Sequence, residues 1–145
     1  MELSLTRDAL EVMHRDALAS FPNECCGFFY GKDDEVRHVE LALPVENSKE
    51  GDQRRRFEIS PLDYMKAEQK ALELGLTLQG IYHSHPLHPA IPSEHDLKQA
   101  VPFFSYIIVS VQPGQVEDTR SWILDEKGEK FEEEIINNLS TINTN

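Results

Sequence analysis

Apolar and polar residues alternate along the chain with spacings that predict helices and strands. Residues 6–20 predict a helix, because apolar residues recur at helical intervals and Thr6 can cap the N-terminus. The buried face of this helix is predicted to contain Leu10, Met13, Ala17 and Leu18. An apolar run at 25–30 then predicts a buried strand, and 36–43 alternates well enough to be its hairpin partner.

In the second half of the chain, the sequence marks the ends of the predicted helices more clearly than in the first half. Ser60 and Pro61 open a second helix as its cap and first residue, and Gly75 ends this helix after Leu74. The polar residues 46–56 predict a mobile surface loop. Further predicted elements are a short helix at 94–101 and strands at 76–83, 106–111, 120–124 and 130–136. The glutamate run within the last of these segments leaves a helix there as the alternative.

The size and composition of the chain are those of one folded domain. At 145 residues it can bury a sizeable core, and we find no internal repeat. Apolar residues make up 39% and charged residues 28%, which is typical of a soluble globular protein. We therefore predict a single domain at 1–136, followed by a polar tail at 137–145.

The net charge and the cysteine content indicate which binding partners and which cellular compartment to expect. The formal net charge of −12 would repel phosphates, so neither nucleic acid nor an anionic membrane surface is expected as a partner. No stretch approaches the roughly 20 apolar residues of a membrane span, and no signal peptide is visible. Cys25 and Cys26 are adjacent, which rarely permits a relaxed disulfide, so free thiols and the cytoplasm are expected. Cys26, within an apolar run, is predicted to be an inert core residue.

The candidate chemistry lies between His83 and Asp96. Residues two apart in a strand point to the same face, so the imidazoles of His83 and His85 can converge on one point. A loop broken by prolines returns the chain, and Asp96 can supply a third, anionic ligand. Three such ligands leave one position of a tetrahedral zinc open for water, unlike a closed structural site. The pattern therefore predicts a zinc hydrolase.

Each part of this pattern also has an explanation that involves no metal. Two histidines at this spacing are a weak signal alone, and Ser93 followed by Asp96 is typical of a helix capping box. The capping and ligand roles are compatible, because both side chains then lie in the first turn of one helix. Glu24 is the candidate base for a zinc-activated water, although it can equally lie in an exposed turn. His88 and His95 are predicted to be neighbouring residues rather than ligands.

Together these residues resemble the JAMM motif of the MPN-domain metalloproteases. In that family a glutamate precedes a His-Ser/Thr-His-x7-Ser-x-x-Asp signature. Each position and spacing is matched here, by Glu24, His83, His85, Ser93 and Asp96. The resemblance is to small free-standing bacterial members, covers roughly residues 5–125, and extends to the segments 23–31 and 56–61 and to Asn47.

The resemblance implies both a fold and a reaction. The fold would be α/β, a single compact MPN (JAMM) domain with a curved, mixed β-sheet flanked by helices. One Zn²⁺ per chain would be bound by His83, His85 and Asp96, with water in the fourth position. Glu24 would serve as general base and carry the proton to the leaving amine, and Ser93 would hold the carbonyl oxygen of the tetrahedral intermediate.

The family also implies a substrate class. Its members hydrolyse peptide or isopeptide bonds after the C-terminal glycine of a ubiquitin-like protein, and a short bacterial-type chain points to a sulfur-carrier protein as the substrate. No oligomeric state is predicted.

Functions of other classes fit the sequence less well. The alternative is a non-catalytic MPN module that acts as an interaction scaffold, but such modules typically lack the ligands that this chain keeps. A nucleobase deaminase would need a Pro-Cys-x-x-Cys segment, which the adjacent cysteines exclude. A purely structural zinc is disfavoured because such sites usually use four ligands rich in cysteine.

Overall fold

A computed structural model describes residues 2–138 as seven strands and three helices. The strands are β1 (Glu2–Leu5), β2 (Cys26–Asp33), β3 (Arg37–Val45), β4 (Thr77–Pro86), β5 (Ser105–Gln112), β6 (Gln115–Leu124) and β7 (Phe131–Asn138). The helices are α1 (Arg7–Ser20), α2 (Pro61–Leu74) and α3 (Glu94–Gln99). The predicted α/β class with one mixed sheet and flanking helices is confirmed.

Each helix begins at the capping residue that the sequence predicts. The hydroxyl of Thr6 accepts a hydrogen bond from the N–H of Ala9, and that of Ser60 accepts one from the N–H of Asp63. Gly75 ends α2 in the left-handed conformation at φ 67°, which glycine adopts without steric cost. These caps satisfy backbone groups that a helix end leaves unpaired, so the helix boundaries are set locally.

The sheet curves until it closes on itself, in the order β1-β3-β2-β4-β5-β6-β7 and back to β1. β1 was not predicted from the sequence, yet it completes the closure by pairing in parallel with both β3 and β7. β4 lies inside the sheet, antiparallel to β2 and parallel to β5. Its carboxyl-terminal half carries the two histidines of the motif.

The core has two parts, one on each side of the sheet. Met13 and Ala17 of α1 pack against Leu3 and Leu5 of β1, all fully buried. In the second part, Ala67 of α2 packs against the other face of the sheet. The buried residues around Ala67 are Phe28, Tyr30, Ile81 and Tyr106. Among residues 2–138, no helix has the length and apolar character needed to cross a membrane.

Several predictions about individual segments need correction. Leu18 was predicted on the buried face of α1, but its side chain is 38% exposed because it lies at the edge of that face. β6 begins at Gln115, five residues before its predicted start, and its pairing with β5 is irregular at Val111. The predicted strand at 130–136 is confirmed as β7 over its helical alternative, but it reaches Asn138, two residues into the predicted tail. The rest of that tail, 139–145, lies outside the described residues, and the boundaries of the domain stay a prediction.

Candidate active site

The two motif histidines lie on one face of β4 and are almost fully buried. His83 is 1% and His85 8% exposed, and their ring centroids are 5.1 Å apart. Ser84 between them points to the opposite face, as strand geometry requires. There its hydroxyl accepts a hydrogen bond of 2.8 Å from the N–H of Cys25. Ser84 therefore attaches β4 to the chain next to Glu24.

Asp96 approaches both histidines from the first turn of α3. One carboxylate oxygen, Oδ1, lies 3.9 Å from Nε2 of His83, and the other lies 3.3 Å from Nε2 of His85. The same carboxylate accepts the N–H of Ser93 at 2.9 Å, while the Ser93 hydroxyl accepts the N–H of Asp96. This is the reciprocal capping box predicted from the sequence, and it orients Asp96 towards the histidines.

The hydrogen-bonding groups at this point attract a cation. Nδ1 of His85 lies 2.8 Å from the carbonyl oxygen of Pro89, which can only accept, so Nδ1 carries a proton. In the neutral ring, Nε2 then presents a lone pair to the carboxylate of Asp96. Nδ1 of His83 is also buried, and it has no hydrogen-bond partner among the described residues. Acceptors that face each other require a proton or a metal ion between them.

The donor set fits zinc. The ligand atoms of His83, His85 and Asp96 all lie within 4.8 Å of one another. Ligands held about 2.0–2.2 Å from a tetrahedral zinc are about 3.3–3.5 Å apart, so small side-chain movements would complete the coordination. Two imidazoles and one carboxylate are also the ligand types of catalytic zinc sites, which keep one position open.

The ionisation of the site is consistent with this arrangement. Burial alone would raise the pKa of Asp96, but the imidazole of His83, a hydrogen bond from the protonated form of the His85 ring and the N–H of Ser93 hold that pKa below its usual range. Burial works against protonation of His85, yet its contacts with Asp96 and the Pro89 carbonyl raise its pKa above the ordinary value. The two shifts have one cause, because the Asp96 carboxylate and the neighbouring imidazoles stabilise each other's charged forms.

Glu24 lies beside the histidines rather than in an exposed turn. Its side chain is 6% exposed, and Oε1 is 3.7 Å from Nδ1 of His83. Its backbone is fixed on both sides: the N–H donates to the carbonyl of Gln53, and the carbonyl accepts from the side-chain amide of Asn47. Glu24 is therefore a buried carboxylate held at the site without being one of the three converging ligands.

Asn47 organises the segment that the sequence predicted as a mobile loop. Its amide nitrogen donates to the carbonyls of Glu24 and Arg56, and its oxygen accepts from the N–H groups of Lys49 and Glu58. All four hydrogen-bonding positions of the amide are thus used. The segment 46–56, predicted as a mobile surface loop, is thus hydrogen-bonded through Asn47 to the backbone at Glu24. The role of Asn47 was not predicted from the sequence, because all four of its hydrogen-bond partners are backbone groups.

Ser93, the other predicted catalytic residue, is exposed at the N-terminus of α3. Its oxygen accepts the N–H of Asp96, and among the described contacts its own proton has no acceptor. The hydroxyl can therefore donate to a group bound next to the metal ligands. His95 is half-buried near Asp96, whereas His88 is exposed in the preceding loop, so neither joins the converging group.

A cavity of about 210 Å³ adjoins His83 and Asp96. Its walls are mainly apolar and aromatic, formed by Phe57, Ile59, Tyr64, Ile81 and Tyr106. The ring of Phe57 lies against that of His83, with 4.6 Å between their centroids. Because drug-sized ligands need about 300–1,000 Å³, this space suits one apolar side chain next to the reacting bond.

Comparison with known proteins gives relatives that align with most of the chain. The chain is 32% identical over 118 residues to a desampylase of Pyrococcus furiosus, covering 78% of this chain and 75% of the relative. It is 37% identical over 107 residues to a probable TtuB-protein conjugate cleaving protease of Thermus thermophilus, covering 73% and 68%.

Solved structures give the same fold. A protein from Desulfitobacterium hafniense superposes with a TM-score of 0.81 at 31% identity, covering 94% of this chain and 92% of the other. A JAB1/MPN domain protein from Archaeoglobus fulgidus, at 18% identity, shares the fold with a TM-score of 0.59 over 94% and 98% of the two chains. The model of one family, the prokaryotic homologs of the JAB domain, matches residues 6–125. The chain therefore belongs to the prokaryotic homologs of the JAB domain.

Proposed function

We propose that this protein is a zinc-dependent peptidase or isopeptidase that cleaves after the C-terminal glycine of a ubiquitin-like or sulfur-carrier protein. The observation that carries the proposal is the convergence of two imidazoles and a carboxylate, whose ligand atoms all lie within 4.8 Å of one another. A buried glutamate lies next to them without coordinating. A scaffold has no use for such a costly buried cluster of charges.

In this proposal His83, His85 and Asp96 hold one Zn²⁺. When bound, zinc lowers the pKa of water to about 7 and polarises the carbonyl that is attacked. Glu24 accepts the proton of the attacking water and delivers it to the departing amine, as a positioned general base and acid. Ser93 donates its free hydroxyl proton to the carbonyl oxygen as negative charge develops there.

The substrate class follows from the relatives and from the resemblance noted in the sequence. One relative is named a desampylase and another a TtuB-protein conjugate cleaving protease, so the proposed substrate is a conjugate of a ubiquitin-like carrier. The acidic chain, with a net charge of −12, favours a partner with a basic or neutral surface. The apolar cavity beside His83 would receive a side chain next to the scissile bond. The two buried free thiols support action in a reducing compartment, which we propose is the cytoplasm.

The first test is the zinc content of purified, untagged protein, measured by elemental analysis. We expect about one zinc per chain in the wild type and none in Asp96→Ala. The second test is cleavage of a reporter amine from the C-terminal glycine of a ubiquitin-like carrier, before and after metal removal and after zinc is restored. Absence of zinc even after reconstitution would contradict the mechanism. Zinc binding with no cleavage of any carrier conjugate would contradict the substrate class, and carrier binding without turnover would favour the scaffold.

A further inference from the structure

The loop that joins His85 to Ser93 is held by side chains from three different strands. Its carbonyl groups at 88, 89 and 90 each accept one hydrogen bond from a side chain. The donors are Ser110 of β5 for His88, His85 of β4 for Pro89, and Trp122 of β6 for Ala90. Three consecutive carbonyls are thus fixed from outside the loop.

This loop has few means to hold itself. Pro89 and Pro92 have no N–H group, and the segment forms no regular structure. Its first residue, Leu87, has a positive φ of 63°, which is unusual for a bulky side chain and requires support from its surroundings. That support includes the N–H of Leu87, which donates to the carbonyl of Val111 at 2.8 Å.

The middle carbonyl of the three has a direct effect on the site. The carbonyl of Pro89 accepts from Nδ1 of His85 at 2.8 Å, which directs Nε2 of that ring towards Asp96. Because Pro89 lies between His88 and Ala90, its carbonyl keeps this direction only while its two neighbours are held. Ala90 is 1% exposed, so its carbonyl depends on the 3.0 Å hydrogen bond from Nε1 of Trp122.

We propose that Ser110 and Trp122 are positioning residues for His85, acting through the carbonyls of His88 and Ala90 on either side of Pro89. They fix the tautomer and the direction of the His85 ring, and they set the path by which the chain returns to Asp96. Among the described hydrogen bonds, those of the Ser110 and Trp122 side chains go to the carbonyls of His88 and Ala90, not to the three ligand side chains. The inference rests on the proposed function insofar as a metal is the group that His85 is positioned to bind.

The chain offers a matched pair of serines on β5 for the test. Ser110→Ala removes the hydroxyl that holds His88. Ser105→Ala removes another buried hydroxyl from the opposite end of the strand, where it bonds Arg37 instead. Ser110→Thr keeps the hydroxyl and should restore function. Trp122→Phe keeps an aromatic ring but removes the donor to Ala90, so it tests the same loop if Ser110→Ala folds poorly.

Two measurements apply to each variant. Zinc affinity, from competition with a chelator, should fall about 10-fold or more in Ser110→Ala and Trp122→Phe, as is typical when support of a ligand histidine is lost. In metal-free protein, nitrogen chemical shifts of the neutral His85 ring should change from a single Nδ1–H tautomer to a mixture. Ser105→Ala and Ser110→Thr should match the wild type in both measurements.

The outcomes separate this inference from the proposed function. Wild-type zinc affinity and a single His85 tautomer in both Ser110→Ala and Trp122→Phe would overturn it. An equal loss in Ser105→Ala would also overturn it, because the effect would then be general destabilisation. A wild-type protein that binds no zinc would contradict the proposed function, while the tautomer measurement on metal-free protein would still decide the role of Ser110 and Trp122.

Discussion

Nδ1 of His83 and Oε1 of Glu24 are 3.7 Å apart, inside a site where both side chains are buried. At this distance the two atoms form no hydrogen bond, so the carboxylate remains available to another proton donor. Such a carboxylate can exchange a proton with water or an amine placed beside the ligands. In the proposed mechanism the pair would place metal binding and proton transfer on neighbouring side chains.

Glu24→Gln should therefore lower kcat by about 10²–10⁴-fold, the usual contribution of a positioned general base, while zinc binding is retained. Glu134→Gln is a matched control, because Glu134 is also buried but bonds Ser121 on β6, away from the ligands. Steady-state turnover of a carrier conjugate and zinc content should be measured for both variants. Full turnover in Glu24→Gln, or equal loss in Glu134→Gln, would remove Glu24 from the mechanism.

Ser93→Ala should affect both stability and rate. Loss of the cap of α3 should cost about 1 kcal/mol in the free energy of unfolding, and loss of a donor to the carbonyl oxygen about 10²–10³-fold in kcat. Ser60→Ala removes the equivalent cap of α2 and should show the stability loss alone. Denaturant unfolding and turnover should be compared in the two variants. If their turnover is equally reduced, capping explains the whole effect and the oxyanion role is wrong.

Asn47→Asp should lower turnover by loosening Glu24. The carboxylate introduced at position 47 has acceptor oxygens like the amide but no N–H donor. The carbonyls of Glu24 and Arg56 therefore each lose a hydrogen-bond partner. We expect a loss of about 1–3 kcal/mol in the free energy of unfolding and a lower kcat. Asn23→Asp places the same charge on an exposed residue adjacent to Glu24 and serves as the control. A kcat unchanged in Asn47→Asp, or reduced equally in both variants, would contradict the positioning of Glu24 by Asn47.

The two thiols should be unreactive in the folded protein. Burial, the main cause, raises the pKa of Cys26 to about 12 and also raises the pKa of Cys25. Because pH 8 is far below the pKa of Cys26, only about one Cys26 side chain in 10⁴ would be a thiolate at that pH. Iodoacetamide followed by mass spectrometry should label neither residue until denaturant is added. Labelling of the native protein would show that a thiol is accessible and ionised.

Local signals in the sequence predicted the helices and most of the site. Caps such as Ser60 and Ser93 act over three residues, so their effect can be read from the neighbouring sequence. The convergence of His83 and His85 follows from the period of a strand, and the capping box of α3 brings Asp96 into reach.

Long-range pairing was the part that the sequence did not reveal. β1 has four residues, and its partners β3 and β7 lie far along the chain, so no local pattern marks it as the closing strand. Asn47 is similar, because its amide joins backbone groups from residues 24 to 58 that only the fold brings together. The role of Ser84 could have been inferred from the sequence. Its polar side chain lies between two site residues and faces the core, so it requires a buried hydrogen-bond partner. That partner is the N–H of Cys25.

The interior position of β4 has a consequence for how the protein would bind the proposed metal. β4 is hydrogen-bonded to β2 on one side and to β5 on the other; His83 lies within both pairings, and His85 within the pairing with β5. Amide hydrogens of β4 should therefore exchange with solvent only through near-global opening of the molecule. Zinc fingers gain their structure from the ion. Here the strands that carry the histidines are held by sheet pairing, so the proposed zinc would be expected to leave and return on a folded chain, and activity would follow zinc supply without a refolding step.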